Sequence, residues 1–172
     1  MQEDRTARQP QPDESDPDLG DIIVREATAA DVDFLAEVLY LANVDRYRHY
    51  PDWEAGAFIA RSRATTLAQV QGEVAHSITS VIMLAGEPVG RLRVVRTSER
   101  LEIAGIQLLP AFQRRRVGTA IIRMLLREGE QAGLAVVLEV ENDNPQARLL
   151  YLRLGFVPYE EGDNCTRMIV RR

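Results

Sequence analysis

The sequence predicts an α/β (α+β) fold: a mixed, mostly antiparallel central sheet with helices on both faces. Three observations carry this. Hydrophobic spacing is helical from Thr28 to about Val74, then changes to β-branched runs at Ser77. Three such runs follow one another across short turns, as antiparallel strands do. From Val117 onward helical and strand patterns alternate, as in a sheet covered by helices.

Taken in order, Ile22, Ile23 and Val24 mark a first strand over residues 21–26. Thr28 can cap the helix that follows, and Asp31 suits its positive end. Val32, Leu35, Ala36, Leu39 and Tyr40 carry that helix to about Asn43. Pro51 interrupts the next stretch, which divides into helical pieces at residues 53–63 and 66–74. Residues 78–84 and 89–95 form a hairpin around Ala85-Gly86-Glu87-Pro88. A second turn, residues 97–100, leads into a strand at 101–109 that Pro110 stops. Residues 117–132 carry apolar side chains on one side and charges elsewhere, an amphipathic helix closed by Gly133. A strand apolar enough to be buried on both faces follows at 134–140. Pro145 opens a helix running to about Arg153, and short strands end the chain at 156–159 and 167–170.

At 172 residues the chain makes one domain, residues 21–172, behind an acidic tail, residues 1–20. That tail is polar and proline-rich and is expected to be disordered. All 21 basic residues are Arg, which excludes a lysine nucleophile or Schiff base. The net charge of −5 lies within residues 1–24, and residues 25–172 hold nineteen Arg and nineteen acids. A neutral body argues against nucleic acid as a partner. No apolar run reaches the ~20 residues of a membrane span, and the N-terminus lacks an export signal. The single Cys165 fits a reducing cytoplasm. His49 and His76 show no metal-ligand spacing, so no metal is expected.

Two segments carry chemistry. The first is Pro110-Ala-Phe-Gln-Arg-Arg-Arg-Val-Gly118-Thr-Ala120, between a strand and a helix. Such a loop aims free backbone N–H groups and the positive helix end at one point, where a phosphate or pyrophosphate can sit. Gly118 and Ala120 keep the approach open, and Arg114, Arg115 and Arg116 add bidentate donors. The same loop reads equally well as a solvated surface before a helix. The second segment is Asn144-Pro-Gln-Ala-Arg-Leu-Leu-Tyr151-Leu-Arg-Leu-Gly155-Phe156, where a short helix presents a tyrosine. Taken alone, Tyr151 reads more often as a packed aromatic than as a catalytic one.

Together, and in this order, the two segments resemble the GNAT superfamily of acyl-CoA-dependent N-acetyltransferases. Its pattern Asn-x-x-Ala-x-x-Leu-Tyr-x-x-x-Gly-Phe is matched at Asn144, Ala147, Leu150, Tyr151, Gly155 and Phe156. Val24-Arg-Glu-Ala-Thr-Ala-Ala-Asp31 is similar to the family's opening strand and helix start. In the loop, the family's Gln/Arg-x-x-Gly-x-Gly/Ala fits from Gln113, which puts Arg116 where the first glycine is usual. A register shifted to Arg115–Ala120 satisfies the pattern fully. The resemblance implies a GNAT-like sheet and direct transfer of an acetyl group from acetyl-CoA to an amine acceptor. It implies that Tyr151 is the general acid toward the departing thiolate, and that Gln107, Leu108 and Leu109 pair with pantetheine. Gln113, Arg114, Arg115, Arg116, Val117, Gly118, Thr119 and Ala120 would take the pyrophosphate, and Asn144 and Tyr151 would also touch the cofactor.

Glu102, eleven residues before Gln113, lies where many family members place an acid, and it is the first choice of general base. Its other reading is a solvated carboxylate beside Arg100. Glu139 is the second choice, because Glu139 and Glu141 project from one strand face. Tyr47, Trp53 and Glu54 are expected to bind the acceptor, with Asp45 and Asp52 as further anions for a cationic amine; an ordinary helix connection accounts for the same residues. Cys165 is expected to lie away from these motifs. A catalytically silent module that binds acyl-CoA is the competing reading, and homodimer formation is left open.

Overall fold

The computed structural model describes residues 21–171; the expected tail, residues 1–20, lies outside them. Strand β1 (Ile22–Glu26) leads to a 3-10 turn at Ala29–Asp31 and helix α1 (Val32–Tyr47). The cap is reciprocal in kind: the Thr28 backbone N–H donates to Asp31 Oδ2 at 2.8 Å, and Arg25 grips the same carboxylate through two nitrogens at 2.9 and 2.7 Å. That grip holds the Asp31 carboxyl far below the usual carboxylate range. Helix α1 runs beyond Asn43 to Tyr47.

Helix α2 (Ala55–Val70) is one helix, where the sequence suggests two pieces. No glycine or proline separates Ala57 from Val70, so nothing stops propagation across Ala64-Thr65. The hairpin strands β2 (Ser77–Leu84) and β3 (Glu87–Arg96) are joined by Ala85 and Gly86 alone. Both take positive φ, 49° and 84°, as the right-handed twist of a two-residue hairpin requires. The turn is therefore shorter than expected, and Pro88 enters β3 beside a bulge.

Strand β4 (Arg100–Leu108), a 3-10 turn at Pro110–Phe112, helix α3 (Val117–Ala132), strand β5 (Ala135–Glu141), helix α4 (Pro145–Arg153) and strands β6 (Val157–Glu161) and β7 (Cys165–Val170) complete the fold. The seven strands are ordered β1-β2-β3-β4-β5-β7-β6, and only the β4–β5 pair is parallel. Alternation along the strands gives each face its own core. Ile82, Leu92, Ile103, Leu138 and Met168 pack with Ile121, Ile122 and Leu125 of α3 and with Leu150 and Tyr151 of α4. On the opposite face, Val81 packs with Leu35 of α1, and Val70 of α2 lies against them. Gly129 allows α3 to press on β5, since a Cβ there would lie 2.4 Å from Val136 Cγ2. Among the described residues, no helix is long and apolar enough to cross a membrane.

Candidate functional site

The site begins where the sheet divides. Strands β4 and β5 pair only from Arg100↔Ala135 to Ile103↔Leu138. A bulge at Ala104, where Arg93 pairs with Gly105 and Val94 with Ile103, bends β4 just past that point. Residues 104–108 and 139–141 then diverge, so the inner backbone edge of each limb is free to bind a ligand.

At the far end of the β4 limb lies the arginine loop. Arg114 and Arg116 hold φ of 58° and 62°, a left-handed backbone that non-glycine residues adopt only at a cost. Arg116 is the N-cap of α3, so these turns feed directly into the helix start. Left-handed residues at a helix N-terminus gather N–H groups into an anion-binding concavity. Gln113 anchors the loop by donating from Nε2 to the Leu108 carbonyl at 3.0 Å, and the Arg115 guanidinium lies 5.6 Å from the centre of the Phe112 ring. At Gly118 a Cβ would meet only Leu108 and Ile106 side chains at 3.8 and 3.9 Å, so the protein's own packing would accept one. The open side is what glycine adds there.

Across the fork, Asn144 caps α4 by accepting from the Ala147 N–H at 3.2 Å, which leaves its amide NH₂ to a ligand. Tyr151 stands two helical turns on, edge-to-face with Phe156 at 5.9 Å. Burial pushes its phenol pKa up, and its hydroxyl has no hydrogen-bond partner among the described residues.

The two candidate bases flank the last paired position, both on the α1/α2 face. Glu102 pairs with Val137, just before the fork, and accepts from Arg100 Nη2 at 3.2 Å. Glu139 comes just after it and accepts from Arg167 Nε at 3.3 Å. Cys165, expected to lie apart from the motifs, pairs with Glu141 in the sheet, and its thiol pKa is raised chiefly by a hydrogen bond to Glu139.

On the same face, Tyr47, Tyr50, Glu141, Asn142, Asp143, Asp163 and Asn164 line a cleft of about 360 Å³. Tyr47 and Arg46 both donate to the Glu141 carboxylate, and Tyr50 donates to Asp143 at 3.0 Å. Burial and the Glu141 bond push Tyr47 up to about 12. Trp53 stacks on Tyr40 and packs against Tyr47 and Phe58, which makes it a wall behind Tyr47. The Glu54 carboxylate caps α2 by accepting from the Ala57 N–H at 2.9 Å. The anions of this cleft thus come from β5 and the loops beside it, not from Asp45 or Asp52. No local spacing signals them, because Tyr47 and Glu141 are 94 residues apart. Among the described residues, no three His, Cys, Asp or Glu side chains are grouped to hold a metal ion.

Residues 35–156 match the model of the acetyltransferase (GNAT) family. No curated protein matches the chain in sequence. Among solved structures, the PaiA N-acetyltransferase from Thermoplasma acidophilum in complex with coenzyme A is 15% identical, with a TM-score of 0.73 over 88% of this chain and 99% of that one. An acetyltransferase from Thermus thermophilus is 15% identical, with a TM-score of 0.66 over 87% and 96%. Ard1 from Thermoplasma volcanium is 21% identical, with a TM-score of 0.62 over 87% and 97%. At such identities the likeness is one of fold; the family match spans well over half of the sequence, and the chain belongs to the acetyltransferase (GNAT) family.

Proposed function

We propose that the protein is an N-acetyltransferase that moves an acetyl group from acetyl-CoA directly to the primary amine of an acceptor. The observation that carries this is the fork: β4 and β5 part just beyond Ile103 and Leu138, and an arginine loop stands at one end with Tyr151 at the side. The residues fit the cosubstrate. The left-handed turns at Arg114 and Arg116 with the start of α3 suit a pyrophosphate, and the β4 edge at Gln107, Leu108 and Leu109, which no strand pairs on the β5 side, suits the amides of pantetheine. Acetyl-CoA supplies an activated thioester, so the protein's part is orientation and proton transfer.

In this reading the Tyr151 hydroxyl donates its proton to the departing sulfur. Its raised pKa keeps it protonated at neutral pH. Glu102 or Glu139 takes a proton from the acceptor ammonium, directly or through water. The Glu141, Asp143 and Asp163 carboxylates draw the cationic amine into the cleft beside Tyr47 and Trp53. Residues 21–172 act as one domain with the tail dispensable, in the cytoplasm, which a lone cysteine suits. The state of association, homodimer included, is a light-scattering measurement.

A silent acyl-CoA-binding module is the second reading, favoured by the ion pairs that engage both Glu102 and Glu139. Release of free thiol from acetyl-CoA with an amine panel, products identified by mass, separates the two. Acetylated amine at rates above the blank is the expected result; tight binding of acetyl-CoA with no product from any amine sinks the enzyme reading. Glu102→Gln and Glu139→Gln then identify the base, by loss of the acid limb of the kcat/KM pH profile.

A further inference from the structure

Arg91 on β3 is a buried cation that no anion among the described residues answers. It is 4% exposed, and the chain folds over it. Nη2 donates to Gln69 Oε1 of α2 at 2.7 Å and Nη1 donates to Gln107 Oε1 of β4 at 3.1 Å. Gln69, 8% exposed, also accepts from the Thr79 hydroxyl at 3.3 Å. Nε is buried without a partner. Among the described residues no carboxylate forms an ion pair with Arg91, and its neighbour in charge is another cation, Arg93. Desolvation and Arg93 lower its pKa to about 10, so it stays charged at neutral pH. Burying an unpaired ion costs several kcal/mol, and two neutral amide oxygens offset only part of that.

Its place in the sheet gives this charge a use. Arg91 pairs with Gln107 and shares the α1/α2 face with Gly105. A Cβ on Gly105 would lie 2.9 Å from Nη1. The guanidinium therefore reaches sideways from β3 over β4, the limb that borders the fork, and lies above a glycine, where a Cβ would crowd it. Gly105 comes two positions after Ile103, the last β4 residue paired with β5. Here the cation stands beside the open edge of the cleft, on the face where Glu102 and Glu139 lie. At Gly105, itself partly exposed, only the Gln107 amide lies beside the guanidinium, 3.4–3.5 Å from where a Cβ would stand.

We propose that Arg91, whose Nη1 lies over Gly105, binds a carboxylate of the acceptor, which makes the acceptor a small amine of the amino-acid class. This deepens the acetyltransferase reading and rests on it. The carboxylate supplies the missing counter-ion over Gly105, with Gln69 and Gln107 holding the guanidinium plane. The ammonium end of the same molecule points along the face toward Glu102, Glu139 and the acidic cleft. An amine lacking the acid, or carrying an amide in its place, leaves the charge unanswered, and a site built for a charged partner discriminates strongly against that loss.

The test measures binding apart from turnover. The probes are N-acetyl derivatives of the common α-, β- and ω-amino acids and their matched carboxamides, titrated calorimetrically into the full chain holding CoA. The expected result is at least one acid that binds ten-fold or more tighter than its amide. That preference disappears in Arg91→Met, with CoA affinity kept, and in Gly105→Ala. An apolar side chain in place of an unpaired buried charge is compatible with folding, and circular dichroism checks both variants; Arg91→Lys, which keeps the charge, should retain part of the preference. Equal binding of acids and amides, no binding of any acid, or a preference that survives in a folded Arg91→Met, overturns the proposal. Loss of CoA binding in the unaltered protein would instead count against the acetyltransferase reading, so the two failures are distinct.

Discussion

Arg116 combines two demands on one residue: a left-handed backbone at the start of α3 and, in the proposed acetyltransferase, a charge for the pyrophosphate. A residue with a Cβ held at φ 62° costs about 1–2 kcal/mol relative to glycine. Arg116→Gly should therefore stabilise the fold by about 1 kcal/mol in urea unfolding. It should at the same time weaken acetyl-CoA binding, because the charge is lost. Calorimetry giving equal or tighter binding would remove the side chain from the phosphate site. Tyr151→Phe should lower kcat by roughly 10²–10⁴-fold with little change in acetyl-CoA affinity. An unchanged kcat with chemistry rate-limiting takes the phenol out of the mechanism. Both residues are legible in sequence because their signals are local, a loop before a helix and a tyrosine two turns after an N-cap. Arg91 is not: its partners Gln69 and Gln107 are 22 and 16 residues away on other elements, and in sequence it is one arginine in an apolar run.

At the scale of the element, periodicity finds every helix and strand, and the differences lie at junctions. Helix α3 is legible end to end, since its apolar side is unbroken and Gly133 closes it with φ 75°. Helix α2 reads as two because its apolar residues do not repeat cleanly, whereas the backbone has no reason to break. The β2–β3 turn reads two residues too long because proline in a strand is exceptional, and here a bulge accommodates it. The start of α1 offers a pH test. Asp31 has a depressed folded pKa, against about 3.9 when unfolded. Its contribution is thus present above about pH 4 and is lost as pH falls below that. Asp31→Asn should cost about 1 kcal/mol at pH 7 and clearly less at pH 2, nearer the folded pKa, read from urea midpoints at both. A difference that stays equal at the two pH values would show that the Arg25–Asp31 grip contributes nothing, as a partly exposed pair sometimes does.

For the whole molecule, sheet order and the two helical layers follow from the order of patterns along the chain. What the order does not show is charge at a distance. The arginine loop follows one limb of the fork and the Glu141–Asp143–Asp163 group stands at the end of the other, within a body whose charges balance. The seam between β4 and β5 has a further consequence. It is four residue pairs long, against eight between β2 and β3, and it is the one ladder that joins strands β1–β4 to strands β5–β7. Helix α3 rests on both sides of it through Ile121, Ile122 and Leu125. The sheet is thus two stiff plates on a short hinge, and a ligand seated in the fork is a wedge that fastens them. At one hundred times its Kd, acetyl-CoA adds about 2.7 kcal/mol to stability. Hydrogen exchange should show that gain as slowed amides on both plates together, at residues 104–108 and 139–141, and protection confined to one plate would mean that the cosubstrate grips a surface and leaves the hinge free.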